Sequence, residues 1–247
     1  MTLFGRSFHP RLGTSIAALS MLAVLLGLGT WQLVRLEWKQ SLINERQLRW
    51  QAPALMLPQD LSDQAALVHR KVIARGHYLH DRELYLPGRS YKGTAGVGMV
   101  TPFVLEDGRT LMVYRGWVPE KRKDPETRPE GNPEGEIEVV GVLLPGGWHG
   151  SDWFQPENAP ERNAWFFVDP AQMAVAVGAG NAIAPLYLGL YRDDAEANLP
   201  FTAPPPMDLR NDHLQYAITW YALAIALIVI YVIFHLDPQR KKGGSEA

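Results

Sequence analysis

Two long uncharged stretches stand near opposite ends of the chain. Residues 12–34 are 23 consecutive positions without a charge, and residues 217–234 are 18 more, with Thr219 as the polar exception. As helices rising ~1.5 Å per residue they would reach ~34 Å and ~27 Å, against ~30 Å for the hydrocarbon core of a bilayer. We therefore predict transmembrane helices at 12–34 and 216–236 rather than buried helices of a soluble fold.

The first stretch also has the general form of a secretion signal. Arg6 and Arg11 precede it, and a cleaved signal peptide is therefore the alternative interpretation. No small-residue cleavage site follows Gly29, because Trp31 and its neighbours continue the helical pattern. This favours an uncleaved anchor.

The charges around the second stretch predict its orientation. Three basic residues follow it directly, whereas the nearest basic residue before it is Arg210; the three are Arg240, Lys241 and Lys242. Basic residues beside a span mark its cytoplasmic side. The tail at 237–247 is therefore predicted to be cytoplasmic.

The charges around the first stretch favour the opposite orientation. Two basic residues precede it and four follow closely, namely Arg35, Lys39, Arg46 and Arg49. A long loop crosses the membrane largely regardless of its charge, so the second stretch carries more weight. We predict that 1–11 is cytoplasmic and that 35–215 is a periplasmic domain.

The middle of the chain carries mainly strand patterns. β-rich runs occur at 68–74, 83–86, 96–105, 109–117, 136–144, 164–168 and 186–191. A Glu-Asp-Gly turn at 106–108 predicts a hairpin. Helical patterns are fewer: an extension of the first helix over 35–50, one turn within 60–67, and a short helix from the N-cap Asp169 to about Val177.

Together these patterns predict an α+β membrane protein. Two transmembrane helices flank one β-dominated, antiparallel extramembrane domain, pictured as a small open barrel. Residues 35–215 carry 19 Lys and Arg against 24 Asp and Glu, a net charge of −5 without a basic stripe. Nucleic acid is therefore not an expected partner, whereas membrane lipid is.

Common catalytic signatures are missing from the sequence. There is no Walker A loop, no G-x-S-x-G elbow, no H-E-x-x-H and no cysteine. The absence of cysteine is compatible with a periplasmic domain that needs no disulfide. A role other than catalysis is the simpler interpretation.

One histidine stands where a helix meets the membrane boundary. His213 lies one turn before the second apolar stretch, and Tyr216 and Trp220 follow at helical spacing. The first stretch ends with Trp31 and Arg35, four residues apart. Two interpretations stay open: an interfacial belt with a polar cluster, or a haem site with His213 as the axial iron ligand and Arg35 near the propionates.

The other histidines offer weaker candidates. His77 and His80 fall near a strand end, where alternation would direct them to opposite faces and disfavour a shared metal. His69 and His149 lie in polar surroundings. His9 and His235 flank the two membrane stretches; together with His213 these are the 7 histidines of the chain.

Several short motifs follow one another along the chain. They are LGTWQL at 28–33 with Arg35, Leu36, Trp38 and Lys39; Gly76 with Tyr78; TPF at 101–103; DG at 107–108; RGWVP at 115–119; Asn163 with Trp165; and NDHLQYAITW at 211–220. Together these motifs resemble the surfeit locus protein 1 family, membrane factors for cytochrome c oxidase assembly. Their order and their placement relative to the two spans make the resemblance specific. Tyr114 and Asp212 depart from it, since the family often has Asn at both positions.

The resemblance implies a function for the chain. It implies a non-enzymatic helper in respiratory chain biogenesis, a chaperone that assists haem a insertion into the oxidase large subunit alongside other assembly factors. Of the possible ligands, only the histidine before the second span carries over, here His213. Haem propionates are expected to face Arg35 or Arg115. The 11 residues before the first span leave no room for a mitochondrial transit peptide, and a bacterial inner membrane is therefore expected.

Two other functional classes remain as alternatives. A periplasmic sensor shares the plan of two spans around an outer domain, although the short tail would require a separate signalling partner. An envelope-anchored enzyme of unknown substrate could combine Arg115, Asp169 and His213, but their spacing does not require it. Arg115 is otherwise expected to anchor a loop by hydrogen bonds.

Overall fold

The chain forms two compact units in a computed structural model that describes residues 2–3, 6–191, 199–202 and 211–236. One unit comprises Met1–Asn44 with Asp208–Ala247, and the other comprises Glu45–Met207. The basic residues that predicted the orientation of the second span, Arg210 and Arg240 to Lys242, lie outside the described residues.

The first unit consists mainly of two helices, and we call this unit the helix pair. Helix α1 spans Leu12–Gln51 and helix α4 spans His213–His235. The continuous α1 confirms the predicted helical extension over 35–50. Both helices are long and apolar enough to cross a membrane, and the fold class predicted from the sequence, two transmembrane helices and a β-rich domain, is confirmed.

The two helices run antiparallel along a seam of regularly spaced residues. On α1 the least exposed positions recur every three or four residues, at Ser15, Ala18, Leu22, Leu25, Gly29 and Gln32. On α4 the buried Ala217 and Ala224 lie seven residues apart. This three-and-four spacing marks the face of each helix that the other one covers, and the small residues Gly29, Ala217 and Ala224 lie on these faces. We call these residues the helix seam.

Hydrogen bonds tie the seam near both of its ends. At one end Thr14 Oγ1 lies 2.9 Å from His235 Nε2, and Ser15 Oγ lies 2.5 Å from the Tyr231 hydroxyl. Towards the other end, Thr30 Oγ1 lies 3.1 Å from the Tyr221 hydroxyl.

Away from the seam, both helices expose large apolar side chains. Examples on α1 are Leu12, Ile16, Leu19 and Val24, and on α4 they are Ile218, Ile225, Ile230 and Ile233. A water-soluble protein rarely exposes such a continuous apolar surface, whereas lipid tails cover it without penalty. The exposure pattern therefore supports a membrane location for this unit.

Strands and two short helices form the second unit. Its strands are β3 (Leu55–Met56), β4 (Lys71–Tyr78), β5 (Leu84–Tyr91), β6 (Thr94–Leu105), β7 (Thr110–Pro119), β8 (Ile137–Pro145) and β9 (Leu186–Leu190). The helices are α2 (Gln64–Leu67) and α3 (Pro170–Ala176). Two two-residue strands, β1 (Thr2–Leu3) and β2 (Arg6–Ser7), pair near the N-terminus in the first unit.

The sheet closes into a five-stranded barrel. Its order is β3-β4-β8-β9-β7-β6-β5, and a further pairing of β4 with β6 completes the ring. Gly76 is the crossing point, because it pairs with Ile137 of β8 and with Leu105 of β6. A Cβ at Gly76 would lie 1.9 Å from the Val104 carbonyl oxygen, so only glycine permits this closure.

Two of the pairings are parallel, unlike the antiparallel arrangement expected from the sequence. They are β3 with β4 and β7 with β9; every other pairing within the described barrel is antiparallel. Strand β9 enters between β8 and β7 after a connection that contains α3. Long connections of this kind permit parallel neighbours, which a hairpin cannot.

Apolar side chains fill the barrel and cover one side of it. The interior holds buried residues such as Val72, Phe103, Leu111, Leu143 and Leu188. A second cluster on the outer face packs α3 and Trp165 against β5, β6 and β7 through residues such as Leu86, Val100 and Met112.

Local predictions were mostly accurate. The 106–108 turn closes the β6–β7 hairpin, where the Gly108 amide donates to the Leu105 carbonyl over 2.9 Å. Asp169 caps α3 by accepting a hydrogen bond from the Gln172 amide over 3.0 Å. The strand predicted at 164–168 is wrong: Ala164 makes only isolated bridges, because the segment crosses the outer face instead of joining the sheet.

The barrel contains a buried network of charged groups around one carboxylate. The Glu83 side chain is 1% exposed and receives hydrogen bonds from Arg115, over 3.1 Å, and from Arg128. The two guanidinium groups also donate to backbone carbonyls of the loop that follows β7, including those of Arg122 and Gly131. We call Glu83, Arg115 and Arg128 the buried ion network; it holds this loop against the barrel.

The environment of Glu83 keeps it ionised. Burial alone would raise the pKa of the Glu83 carboxyl, but interactions with His80 and Arg128 and the charge of Arg115 lower it below its ordinary value of 4.5. A depressed pKa in the folded state adds stability above that ordinary value, and this stability disappears as the pH falls through the depressed pKa.

The helix seam can be tested at two glycines of the same helix. A Cβ at Gly29 would lie 2.9 Å from the Tyr221 ring, whereas nothing lies within 4 Å of one at Gly27. Gly29→Leu should separate the helices, at a cost of ~1–3 kcal/mol typical of overpacking. Because the chain has no cysteine, Ala18→Cys with Leu227→Cys provides one defined pair for a short bismaleimide cross-linker in membranes. The yield should fall several-fold with Gly29→Leu and stay unchanged with Gly27→Leu; equal yields would contradict the seam.

The buried ion network predicts a large effect of removing its one carboxylate. Glu83→Gln should lower the free energy of unfolding of the barrel by ~3–5 kcal/mol, because two buried guanidinium groups lose their counter-ion. Glu138→Gln, which removes an exposed pair with Arg75 at 3.0 Å, should cost less than ~1 kcal/mol. Urea unfolding followed by tryptophan fluorescence measures both. The acid-induced loss of stability below pH 4.5 should be smaller in Glu83→Gln than in the wild type.

Candidate functional site

The candidate site lies at the end of the helix seam where α4 begins. His213 is the first residue of α4 and is half-buried. Its Nδ1 lies 2.6 Å from Oε1 of Gln32 on α1. Asp212, the N-cap residue, brings the chain into the helix immediately before it, so the imidazole is fixed by both its own helix and the neighbouring one.

This hydrogen bond determines which imidazole nitrogen is available. An amide oxygen only accepts hydrogen bonds, so Nδ1 of His213 carries the proton and donates it to Gln32. In the neutral imidazole Nε2 then carries the lone pair, and it makes no hydrogen bond to any residue that the structure describes. A neutral imidazole oriented by a bond through its other nitrogen is the usual form of a histidine metal ligand.

Arg35 and Trp31 lie on the α1 side of this site. Both side chains are exposed. The Arg35 guanidinium carbon lies 4.2 Å from the centre of the Trp38 ring, a cation–π contact that orients the arginine along the helix. The sequence predicted the helical spacing of these residues, but not that Arg35 stacks on Trp38.

Tyr216 and Trp220 follow His213 on α4. Tyr216 is 54% exposed and Trp220 is half-buried. In the described part of the chain, no ring contact joins Trp31, Tyr216 and Trp220 to one another. The structure therefore brings His213 together with Gln32, whereas Trp31, Tyr216 and Trp220 are related to this pair by their helical spacing.

His235, at the opposite end of α4, has a different environment. It is 5% exposed, its Nδ1 bonds the Tyr231 carbonyl over 2.8 Å, and its Nε2 lies 2.9 Å from Thr14 Oγ1. Both nitrogens are thus engaged, and Tyr231 packs on the ring with centroids 4.3 Å apart. His235 is a structural residue of the helix seam.

The histidines of the barrel have separate partners. His77 Nδ1 lies 3.0 Å from Glu136, His80 Nε2 lies 2.9 Å from the Pro133 carbonyl, and His149 Nε2 lies 3.0 Å from the Pro145 carbonyl. Among the residues that the structure describes, no group of three or more His, Asp or Glu side chains could hold a metal ion.

Arg115, the second arginine considered for haem propionates, is not available for them. Its side chain is 3% exposed and belongs to the buried ion network. The structural role expected for it from the sequence, a hydrogen-bonded anchor for a loop, is confirmed by its bond to the Gly131 carbonyl.

Gln32 is the residue of the candidate site to which the sequence analysis gave no role. It lies 181 positions from His213, and no local pattern connects the two. The available signal was its helical position, because Gln32 continues the three-and-four spacing of the seam at Leu25 and Gly29. A polar residue in that register is expected to face the partner helix.

These features define a class: a membrane protein in which two transmembrane helices accompany a β-barrel domain and present one oriented imidazole where their seam ends. The comparison with known families is more specific. The SURF1 family model matches residues 19–225, well over half of the chain. The chain belongs to the SURF1 family.

Individual relatives agree with this assignment. Surfeit locus protein 1 of Homo sapiens is 37% identical over 216 residues, which cover 81% of this chain and 70% of the relative. The protein of the same name from Mus musculus is 36% identical over 219 residues, covering 83% and 70%. A SURF1-like protein of Drosophila melanogaster is 35% identical over 222 residues, covering 83% and 71%.

Proposed function

We propose that this protein is a membrane-bound assembly factor for a haem-copper oxidase, and that it assists delivery of haem a to the oxidase large subunit. Family membership supports the assembly role. The single observation that carries the haem step is the hydrogen bond between His213 and Gln32, which leaves Nε2 of His213 with its lone pair available.

The residues at the site fit the requirements of haem. His213 would supply an axial nitrogen, and Gln32 would keep its imidazole in the required tautomer. Trp31, Tyr216 and Trp220 would border the apolar macrocycle, while the exposed Arg35 would attract the propionates. Haem a supplies the redox centre of the oxidase, so this protein needs only to bind, orient and release it.

The location of the site suits an amphipathic cargo. Haem is largely apolar with two carboxylates, and it partitions to the boundary between the hydrocarbon and the headgroups. His213 and Arg35 stand at that boundary, just beyond the uncharged stretches of their helices. A cargo bound there can reach a membrane-embedded client without crossing water.

We further propose that the site faces the periplasm of a bacterial inner membrane. The support is the cluster of basic residues after α4, which favours a cytoplasmic tail. The barrel domain would then be periplasmic, between cytoplasmic termini.

Purified protein co-expressed with haem a synthesis provides the direct test. Wild-type protein should carry haem with a Soret band, and His213→Ala should lose it. Gln32→Leu should weaken haem affinity by ~10-fold or more, as is typical when the group that orients a metal ligand is removed. Absorption spectra and the pyridine haemochrome measure these effects.

His77→Ala is the control, because His77 belongs to the barrel domain, where its Nδ1 lies 3.0 Å from Glu136, and it takes no part in the helix seam. It should retain the haem spectrum. Deletion of the gene should lower the haem a content and activity of the oxidase, with rescue by wild type but not by His213→Ala. Wild-type haem occupancy in His213→Ala would refute the ligand assignment, and normal oxidase in the deletion strain would refute the assembly role.

Reporter fusions test the proposed orientation. Alkaline phosphatase fused after residue 120 should be active and a cytoplasmic reporter there inactive, with the reverse at residue 245. The reversed pattern at both positions would place the barrel in the cytoplasm.

A further inference from the structure

The outer face of the barrel carries an open cleft of about 320 Å³ that is separate from the helix pair's histidine site. Tyr114 of β7 and Tyr187 of β9 belong to its lining, together with Trp148, Phe166, Phe167 and Arg89. Among the described residues, no Asp or Glu lines it. Neither the buried ion network nor the haem proposal uses these residues.

Strand pairing brings the two tyrosines together. Tyr114 pairs with Gly189 in the parallel β7–β9 ladder, and Tyr187 lies two positions before that glycine. Residues two apart on a strand share a face, so both rings lie on the outer side of the barrel. There they border the apolar cluster of Leu86, Val168 and α3.

Tyr114 is further positioned by a glycine on the neighbouring strand. A Cβ at Gly98 would lie 3.0 Å from the Tyr114 ring. The ring therefore lies against the bare backbone of β6. This explains how a tyrosine fits where the family often has the smaller Asn.

Both phenols stay protonated and can donate hydrogen bonds. Burial raises the pKa of Tyr114, and burial together with the nearby Tyr114 raises the pKa of Tyr187 to about 12. The positive charge of Arg89, which lines the same cleft, acts in the opposite direction and lowers the pKa of both phenols.

Arg89 is held at the mouth of the cleft. Its Nη2 donates to the Phe166 carbonyl over 3.3 Å, and the side chain is otherwise exposed. The remaining N–H groups form a planar fork that matches a carboxylate. Arg89 supplies one positive charge, and the hydroxyl groups of Tyr114 and Tyr187 supply two neutral hydrogen-bond donors. This combination suits a ligand with a single negative charge.

The aromatic side chains and the volume of the cleft determine which group, besides a carboxylate, can bind there. The Trp148 and Phe167 rings pack against each other, with their centroids 6.1 Å apart at an interplanar angle of 58°, and together they form an aromatic surface in the cleft. A volume near 320 Å³ is at the low end for ligand sites, and admits one ring with a short side chain rather than a macrocycle.

We propose that this cleft binds a small aromatic monocarboxylate, with its ring against the aromatic side chains that line the cleft and its carboxylate held by Arg89, Tyr114 and Tyr187. The site is independent of the proposed haem function. Its ligand is recognised by charge and by ring shape together.

A fluorinated probe tests both parts of this recognition. The full-length protein in zwitterionic nanodiscs is titrated with 4-fluorophenylacetate and, separately, with the uncharged 4-fluorophenylacetamide, followed by ¹⁹F line broadening against empty nanodiscs. The acid should bind saturably and at least ~10-fold more tightly than the amide, as expected for a charge-assisted pair. Equal binding of the two probes, or no saturable binding of the acid, would overturn the proposal.

Variants assign the effect to the cleft. Arg89→Gln should reduce acid binding to the level of the amide, and Tyr114→Phe and Tyr187→Phe should each reduce it several-fold while keeping the rings. Arg75→Gln, which removes an exposed arginine outside the cleft lining, should have no effect. Unchanged binding in Arg89→Gln would refute the site, and because Arg89 is exposed, its urea midpoint should match wild type.

Discussion

The close approach of α1 and α4 along the helix seam is the constraint on which the candidate site depends. Lipid tails are as apolar as the side chains they cover, so no hydrophobic force drives two such helices together in a bilayer. Association must come from packing at small residues, here Gly29, Ala217 and Ala224, and from interhelical hydrogen bonds. Such bonds contribute only ~0.6 kcal/mol each on average. Packing at Gly29 therefore matters as much as the polar ties.

The barrel domain contains a buried ion network, an arrangement that is energetically costly because charged groups lose their hydration. Two buried guanidinium groups share the Glu83 carboxylate, which leaves an excess positive charge inside the protein. Replacing such networks with apolar residues is often neutral or stabilising, so stability alone does not explain it. What the network achieves is order: it holds three consecutive 3₁₀ turns, Glu120–Arg122, Pro125–Thr127 and Pro129–Gly131, which have little apolar surface of their own to bury. Arg115 of the RGWVP motif supplies one of these contacts, its bond to the Gly131 carbonyl.

The sequence predicted features that depend on residues close together along the chain, and it did not predict features that depend on distant residues. The two spans, the 106–108 hairpin and the Asp169 cap depend on residues within a few positions of one another, and they were predicted. Barrel closure at Gly76 depends on Val104, and the β7–β9 pairing joins strands separated by the whole connection through α3. Neither leaves a periodic signal. The 164–168 segment failed for a related reason: β-rich composition indicates an apolar surface to pack against, but not whether the backbone joins the ladder.

At the candidate site, too, the sequence predicted the local features but not the long-range contact, and this difference bears on the function. From the sequence, His213 and His235 are both histidines at the ends of one apolar helix, and either could be an interfacial residue. In the structure, the two histidines differ in the hydrogen bonding of their second imidazole nitrogen. His235 uses both nitrogens to hold the helix seam, whereas His213 uses one to contact Gln32 and keeps the other available. A histidine whose two nitrogens are both hydrogen-bonded within the protein, as in His235, has a structural role. The imidazole of His213 is thus held through one nitrogen, while the other makes no hydrogen bond to a described residue, and the proposed iron ligation rests on this difference from His235.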